Sequence, residues 1–476
     1  MSSVSDPGPT AESSLALRSR RVLLDGRLEP ATVVVRGERV EAVLPVDASL
    51  SEDTRLHELG DQVLMAGLVD THVHVNEPGR TDWEGFVTAT RAAASGGITS
   101  LVDMPLNCSP VTTSTHALDQ KLEALAGRGT DGGGESELFV DTAFWGGVVP
   151  HNAAELRSLA EAGVRGCKAF MIDSGIDEFP EVGEAELRRA MRELERAGVP
   201  LIAHAELDVG APTPSGDPRS YSSYLSSRPP EWEIAAVELL IKLCRETGCP
   251  VHVVHLSAAG ALPLVDSAKQ AGLPITVETC PHYLCLSAEE IEDGETQFKC
   301  APPIREAANR ELLWQGLEAG LIDCIVSDHS PCTPALKQRE LGDFGRAWGG
   351  IASLSLGLGA IWPEARRRGL SLPRVASWMS EAPAELAGLS RKGRIAPGCD
   401  ADFVVWDPDV EYEVAPDTLH FKHKLSPYLG RKARGRVRQT WLRGRVIFEA
   451  PAEGGAEALT TQRFAPATGR PLVDRR

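Results

Sequence analysis

The chain has 476 residues, 42% of them hydrophobic, and a formal charge of −18 at pH 7. That length supplies a large core and by size alone suggests two or three domains, although one α/β barrel can absorb most of it. The acidic balance argues against nucleic acid as a partner, because such a surface repels a polyanion.

Ten cysteines, at positions 108, 167, 244, 249, 280, 285, 300, 324, 332 and 399, form no CxxC pair and no dense framework. This usage points to reduced thiols and a cytoplasmic setting. Nowhere do 18 or more apolar residues run without a charge, and the N-terminus has no apolar stretch after a basic start. Neither a membrane span nor a secretory leader is expected.

Residues 1–15 are Ser/Pro/Gly-rich and expected to be loose. "RRVLLDGRLEPATVVVRGERVEAVLP" then alternates β-branched and polar residues around Gly26 and Gly37, a pattern of short antiparallel strands and tight turns. Residues 1–65 are therefore assigned to a first β segment.

From residue 66 the rhythm changes. Eight short apolar runs follow: "LVDTHVHV", "TSLVDMP", "LFVDTAFWGG", "GCKAFMI", "PLIAHAE", "PVHVVHLS", "PITVETC" and "DCIVSDH". Between them lie amphipathic helical patterns such as residues 184–198 and 233–248, each closed by a glycine. Eight strands alternating with helices predict a (β/α)8 barrel over residues 66–390, with near-continuous apolar strands suited to a parallel sheet buried on both faces. Residues 391–450 return to strand and turn composition in "RIAPGCDADFVVWDP" and "VRQTWLRGRVIFE". The two flanking β segments are expected to meet in one small β-sandwich, and residues 451–476 to form a tail, either mobile or against a partner subunit.

In such a barrel chemistry sits at the C-terminal ends of the strands. Strand one ends in His72 and His74, whose spacing of two puts both imidazoles on one face. Strand four carries Lys168, strand five His204, strand six His255 and strand eight Asp328. Four imidazoles and a carboxylate are the donor set of borderline divalent metals such as zinc. A single buried histidine is more often a hydrogen-bonded core residue, but this reading does not account for so many at corresponding strand ends. Lys168 has two readings. It is a lysine reaching outward from a strand end, or a buried amine whose pKa is lowered by desolvation and nearby cations. In its neutral form that amine can add carbon dioxide to give a carbamate able to bridge two metals.

"GLVDTHVHVNEPG", the barrel lysine, the two later histidines, "SDH" and "KGRIAPGCDADFVVWDP" together resemble the amidohydrolase superfamily. The similarity is to its cyclic-amide branch of dihydroorotases, hydantoinases, dihydropyrimidinases and allantoinases, and it spans about residues 20 to 450. It implies two divalent ions, zinc with cobalt or manganese as alternatives, bridged by N6-carboxylysine at Lys168. His72 and His74 hold the more buried ion, His204 and His255 hold the second, and Asp328 both ligates and acts as catalytic base. It implies a homotetramer as well. No side-chain nucleophile is needed.

Two positions bear on the substrate. Similar dihydroorotases carry an arginine for the substrate carboxylate where this chain has Asn76, and an "MPNT"-like run where it has "MPLN". Hydantoinases and dihydropyrimidinases carry a tyrosine five residues after the lysine, where this chain has Asp173. "HVNEPGRTDWEGF", "DMPLN", "KAFMIDSGIDEFP" and "SSRPPEWE" resemble allantoinases, which implies allantoin as the small-molecule substrate. Hydantoinase or dihydropyrimidinase action is the alternative. Asn76, Asn107 and Ser330 are neutral groups able to hydrogen-bond a ureido ligand, with turn or cap roles as the competing reading. Cys300 is a candidate for the pocket wall, whereas His282 and His329 are read as supporting residues. A metal-free assembly protein of the same fold would lack several ligands, and here all six are present.

Overall fold

The structure is a computed structural model that describes residues 14–126, 137–210, 216–450 and 462–473. Residues 1–13 of the expected loose start lie outside the described residues.

Strands β1 (Ser14–Leu24), β2 (Arg27–Arg36) and β3 (Arg39–Pro45) form an antiparallel meander. The β1–β2 turn has Asp25 at φ 43° and Gly26 at φ 74°, the positive-φ pair that matches the twist of a two-residue hairpin. β4 (Thr54–Ala66) lies parallel to β1 and leads directly into the barrel.

The barrel strands are β5 (Leu68–Val73), β6 (Ile98–Asp103), β7 (Asp141–Phe144), β8 (Gly146–Gly147), β9 (Cys167–Phe170), β10 (Leu201–His204), β11 (Val251–Val253), β12 (Ile275–Thr279) and β13 (Cys324–Ile325). Every pairing among them is parallel. Trp145 separates β7 from β8, so the two occupy one place in the circle and the eight expected strands are recovered. Closure comes from a parallel bridge between Val73 and His329, with the His74 amide donating to the His329 carbonyl at 2.8 Å. The helix Glu184–Ala197 buries Leu187, Ala190, Met191 and Leu194 on one stripe and stops at Gly198, φ 69°. The helix Pro230–Thr247 starts three residues before the expected 233, because Pro230 is suited to a first helical turn.

β14 (Phe403–Glu413), β15 (Lys432–Leu442), β16 (Arg445–Glu449) and β17 (Arg463–Phe464) return to β4, giving one sheet in the order β17-β16-β15-β14-β4-β1-β2-β3. The sheet curls until Val40 of β3 exchanges backbone hydrogen bonds with Gly398 and Cys399. The sandwich is thus one folded sheet closed over Leu17, Val33, Val35, Leu64, Phe403 and Val405. Part of the stretch expected as a tail is docked on the barrel of its own chain: Thr142 of β7 bridges to Pro471, and Arg165 donates to the Leu472 carbonyl at 2.7 Å. A buried carboxylate group, Asp141, Asp400 and Asp402, holds the Lys392 ammonium at 2.7, 3.0 and 2.6 Å where sheet and barrel meet.

Candidate metal centre

His72 and Lys168 sit within β5 and β9, His204 ends β10, and His74, His255 and Asp328 follow the ends of β5, β11 and β13. All six are buried. Asp328 Oδ1 lies 3.2 Å from His72 Nε2 and 3.6 Å from His74 Nε2. Lys168 Nζ lies 3.1 Å from His72 Nε2, and His204 Nδ1 lies 3.0 Å from His255 Nε2. The His72 and His255 rings, 5.2 Å apart, join the two halves.

His255 at φ 40° and Asp328 at φ 43° occupy the left-handed region. That conformation is costly outside glycine and persists where surroundings impose it, commonly at functional sites. Burial holds the imidazoles of His72, His74 and His255 well below the ordinary histidine value, with the Lys168 charge adding to the effect. Burial likewise lowers Lys168, against the pull of the Asp328 and Glu278 carboxylates, and raises Asp328. Neutral imidazoles facing one another at 3 Å share one proton in an N–H···N contact, and a divalent cation in place of that proton takes the lone pairs of both rings. The donor set therefore fits a pair of divalent ions.

The outward ring nitrogens are held by residues that the sequence reading did not single out. His72 Nδ1 meets Glu278 Oε1 at 2.5 Å, and Glu278 Oε2 meets His252 Nε2 at 2.9 Å. His204 Nε2 meets Glu206 Oε2 at 2.7 Å, and the same oxygen pairs with Arg228. Burial opposes ionisation of Glu206, but Arg228, the His204 hydrogen bond and Arg305 together outweigh it and keep the carboxyl below its ordinary value. A signal existed: a charged residue inside a buried strand run, as in "VETC" and "AHAE", is rare unless paired. His329 takes backbone N–H bonds from Ser353 and Leu354 on Nδ1 and points Nε2 at Glu84, which makes it a closure residue.

Five of the six ligands, all but His72, open onto a cavity of about 300 Å³. Asn107 and Ser330 line it, as does Asp173. Asn76 and Cys300 do not. Asn76, at φ 65°, turns the chain after β5 and donates Nδ2 to the Pro331 carbonyl at 3.3 Å, while Cys300 is buried behind the wall with its carbonyl bound to the Tyr224 hydroxyl. Asn107 shares the φ of 65°, and its Nδ2 lies 3.4 Å from His74 Nδ1. The wall also carries Arg228, Lys299, Arg346 and Trp348, so it is more cationic than the neutral trio implied. Lys299 donates to the Gly345 and Ala347 carbonyls, and buried Lys337 to those of Lys299, Trp348 and Gly350. Together they pin the loop over the cavity. Gly350 is needed there, since a Cβ would fall 2.3 Å from the Ser330 carbonyl oxygen.

A parallel barrel with metal-type ligands at its strand ends defines a hydrolase class, and residues 63–447 match the family described as Amidohydrolase family. The chain belongs to the amidohydrolase family. Within it, the chain is 50% identical to a protein named allantoinase from Streptomyces avermitilis, over 92% of this chain and 96% of that one. It is 44% identical to the allantoinase of Arabidopsis thaliana, over 91% and 87%. A solved structure titled L-hydantoinase (dihydropyrimidinase) from Arthrobacter aurescens superimposes with a TM-score of 0.83 at 28% identity, covering 97% of this chain and 99% of that one. Among the described residues no helix is long and apolar enough to cross a membrane, and the ten cysteines are free thiols.

Proposed function

We propose that the chain opens the hydantoin ring of allantoin to give allantoate, a step of ureide catabolism. The observation that carries this reading is a cluster of six metal-type groups, five of which (His74, Lys168, His204, His255 and Asp328) line a cavity of about 300 Å³, a size that suits one small heterocycle. Identity of 50% over 92% of the chain to a protein named allantoinase supports the choice within the cyclic-amide class. His72 and His74 would hold one divalent ion and His204 and His255 the other, with Lys168 bridging and Asp328 a further ligand. Zinc fits the nitrogen-rich set, with cobalt or manganese as substitutes. Buried Lys168, its pKa lowered by desolvation, adds carbon dioxide as the neutral amine and releases a proton, which leaves an anionic carbamate suited to its place between the imidazoles.

When bound, the ions polarise the scissile carbonyl and acidify the attacking water. Asp328 takes the proton of that water and delivers it to the ring nitrogen as the C–N bond breaks, so that nitrogen leaves neutral. Asn107 and Ser330 face the ligand from the wall, where neutral donors and acceptors suit a ureido arm. The cationic residues are already engaged: Arg228 pairs with Glu206, Lys299 caps carbonyls, and Arg346 is solvent-exposed beside Asp343. A carboxylate-bearing ring such as dihydroorotate would have to compete with these contacts for a cation.

Initial rates with allantoin, hydantoin, dihydrouracil and dihydroorotate test the reading. Allantoin should lead the others by at least about tenfold in kcat/KM. A lead by hydantoin or dihydrouracil would move the chain to the hydantoinase side, and a lead by dihydroorotate would overturn the argument from engaged cations.

A further inference from the structure

We propose that Glu278 and Glu206 are paired positioning residues, one for each ion, which fix the tautomer and ring angle of one histidine per site. The inference rests on the binuclear reading above and extends it to residues that touch neither ion nor substrate.

In both pairs a fully buried carboxylate takes the outward ring nitrogen of a strand-end histidine, at 2.5 Å for Glu278–His72 and 2.7 Å for Glu206–His204. An ionised carboxylate only accepts, so the proton is placed on Nδ1 of His72 and on Nε2 of His204. The opposite nitrogens are left as lone pairs: His72 Nε2 toward Lys168 and Asp328, His204 Nδ1 toward His255. The two histidines thus present different ring atoms inward, and the carboxylates decide which.

Each carboxylate is itself held. Glu278 receives His252 Nε2 at 2.9 Å, and His252 Nδ1 lies 2.8 Å from Thr276 Oγ1. Glu206 is clamped by Arg228. His74 and His255 have no such support: His74 Nδ1 faces the Asn107 amide at 3.4 Å, and His255 Nδ1 has no partner among the described residues. Glu278 touches His255 only through its backbone N–H, at 3.2 Å, so its grip on a ligand ring is confined to His72. One ligand of each ion is therefore locked by a carboxylate, and its companion is not. Loss of such an outer carboxylate typically costs about 10–100-fold in metal affinity.

The test is zinc affinity of Glu278→Gln and Glu206→Gln, by competition with a chromogenic chelator, joined to anomalous-diffraction occupancy at the two positions. Glu278→Gln should weaken the ion at His72 and His74 by about 10–100-fold and leave the other within about threefold, and Glu206→Gln should do the reverse. Glu278→Asp and Glu206→Asp, which keep the charge but shorten its reach, should recover part of each loss. If the glutamine variant at position 278 does not fold, Glu278→Asp carries that arm, with loss still expected at the His72 position alone. Unchanged affinities, or equal loss at both positions in either variant, would overturn the inference while leaving two ions in the wild-type protein. A wild-type protein that takes up fewer than two ions would overturn the binuclear reading itself, and the inference with it.

Discussion

His204 Nδ1 and His255 Nε2 face each other at 3.0 Å, and burial lowers the pKa of both rings. Without a cation the pair shares one proton as an N–H···N hydrogen bond, and a divalent ion that displaces this proton is held by both rings. Chelation should therefore abolish turnover and lower the melting temperature by several degrees, and added zinc, cobalt or manganese should restore both. Differential scanning calorimetry with and without chelator measures it. An unchanged melting temperature would mean that these nitrogens hold nothing.

Lys168→Ala should remove the bridge between the two halves of the site and abolish activity. Short carboxylic acids or bicarbonate should restore a part, since they supply an anion where the carbamate stood. Metal content and turnover at wild-type level without additives would refute the bridging role.

Asp328→Asn keeps the size and one coordinating oxygen but removes the basic carboxylate. The kcat loss should lie near the top of the 10²–10⁴-fold range for general acid–base help, with metal retained at least in part. Single-turnover assays beside metal analysis separate the two effects. A loss under about tenfold with both ions present would place the base elsewhere.

The Lys392 ammonium contacts three buried carboxylates where the sheet meets the barrel. Lys392→Met leaves Asp402 without that cation, while Arg443 still pairs with Asp141 and Arg391 with Asp400. Breaking such a buried pair costs about 3–5 kcal/mol, so the urea midpoint should fall clearly while the metal content of folded protein stays the same. A midpoint near the wild-type value would show that the carboxylates are satisfied without Lys392.

Both ring nitrogens of His282 lack a partner among the described residues, and burial pushes its pKa down to about 3. Unfolded, the ring titrates near 6.5, so the unfolded chain binds the extra proton between these values. The stability gained by keeping this ring neutral is complete above about pH 6.5 and is lost as pH falls toward 3. His282→Phe removes that dependence. Its unfolding free energy, measured by denaturant titration at several pH values from 6 to 4, should decline less steeply than that of the wild type. Equal slopes would assign the acid sensitivity to other groups.

The barrel was legible in the chain because its marks are local. An apolar run long enough for one strand, a two-residue period that sends His72 and His74 to one face, and a glycine closing each of two helices are all written within a few neighbours. The six metal-type residues followed from their places at strand ends. Sequence could not say which nitrogen of each ring turns inward, because that depends on Glu278, 206 positions from His72, and on Glu206 beside Arg228. It also misjudged the wall. Asn76 was expected there and instead turns the backbone, while Arg228, Lys299 and Trp348 arrive on long connections whose paths are set by packing and by lysines capping carbonyls. Strand period is a property of the chain, whereas ring orientation and loop path are decided by partners that meet only when the barrel closes.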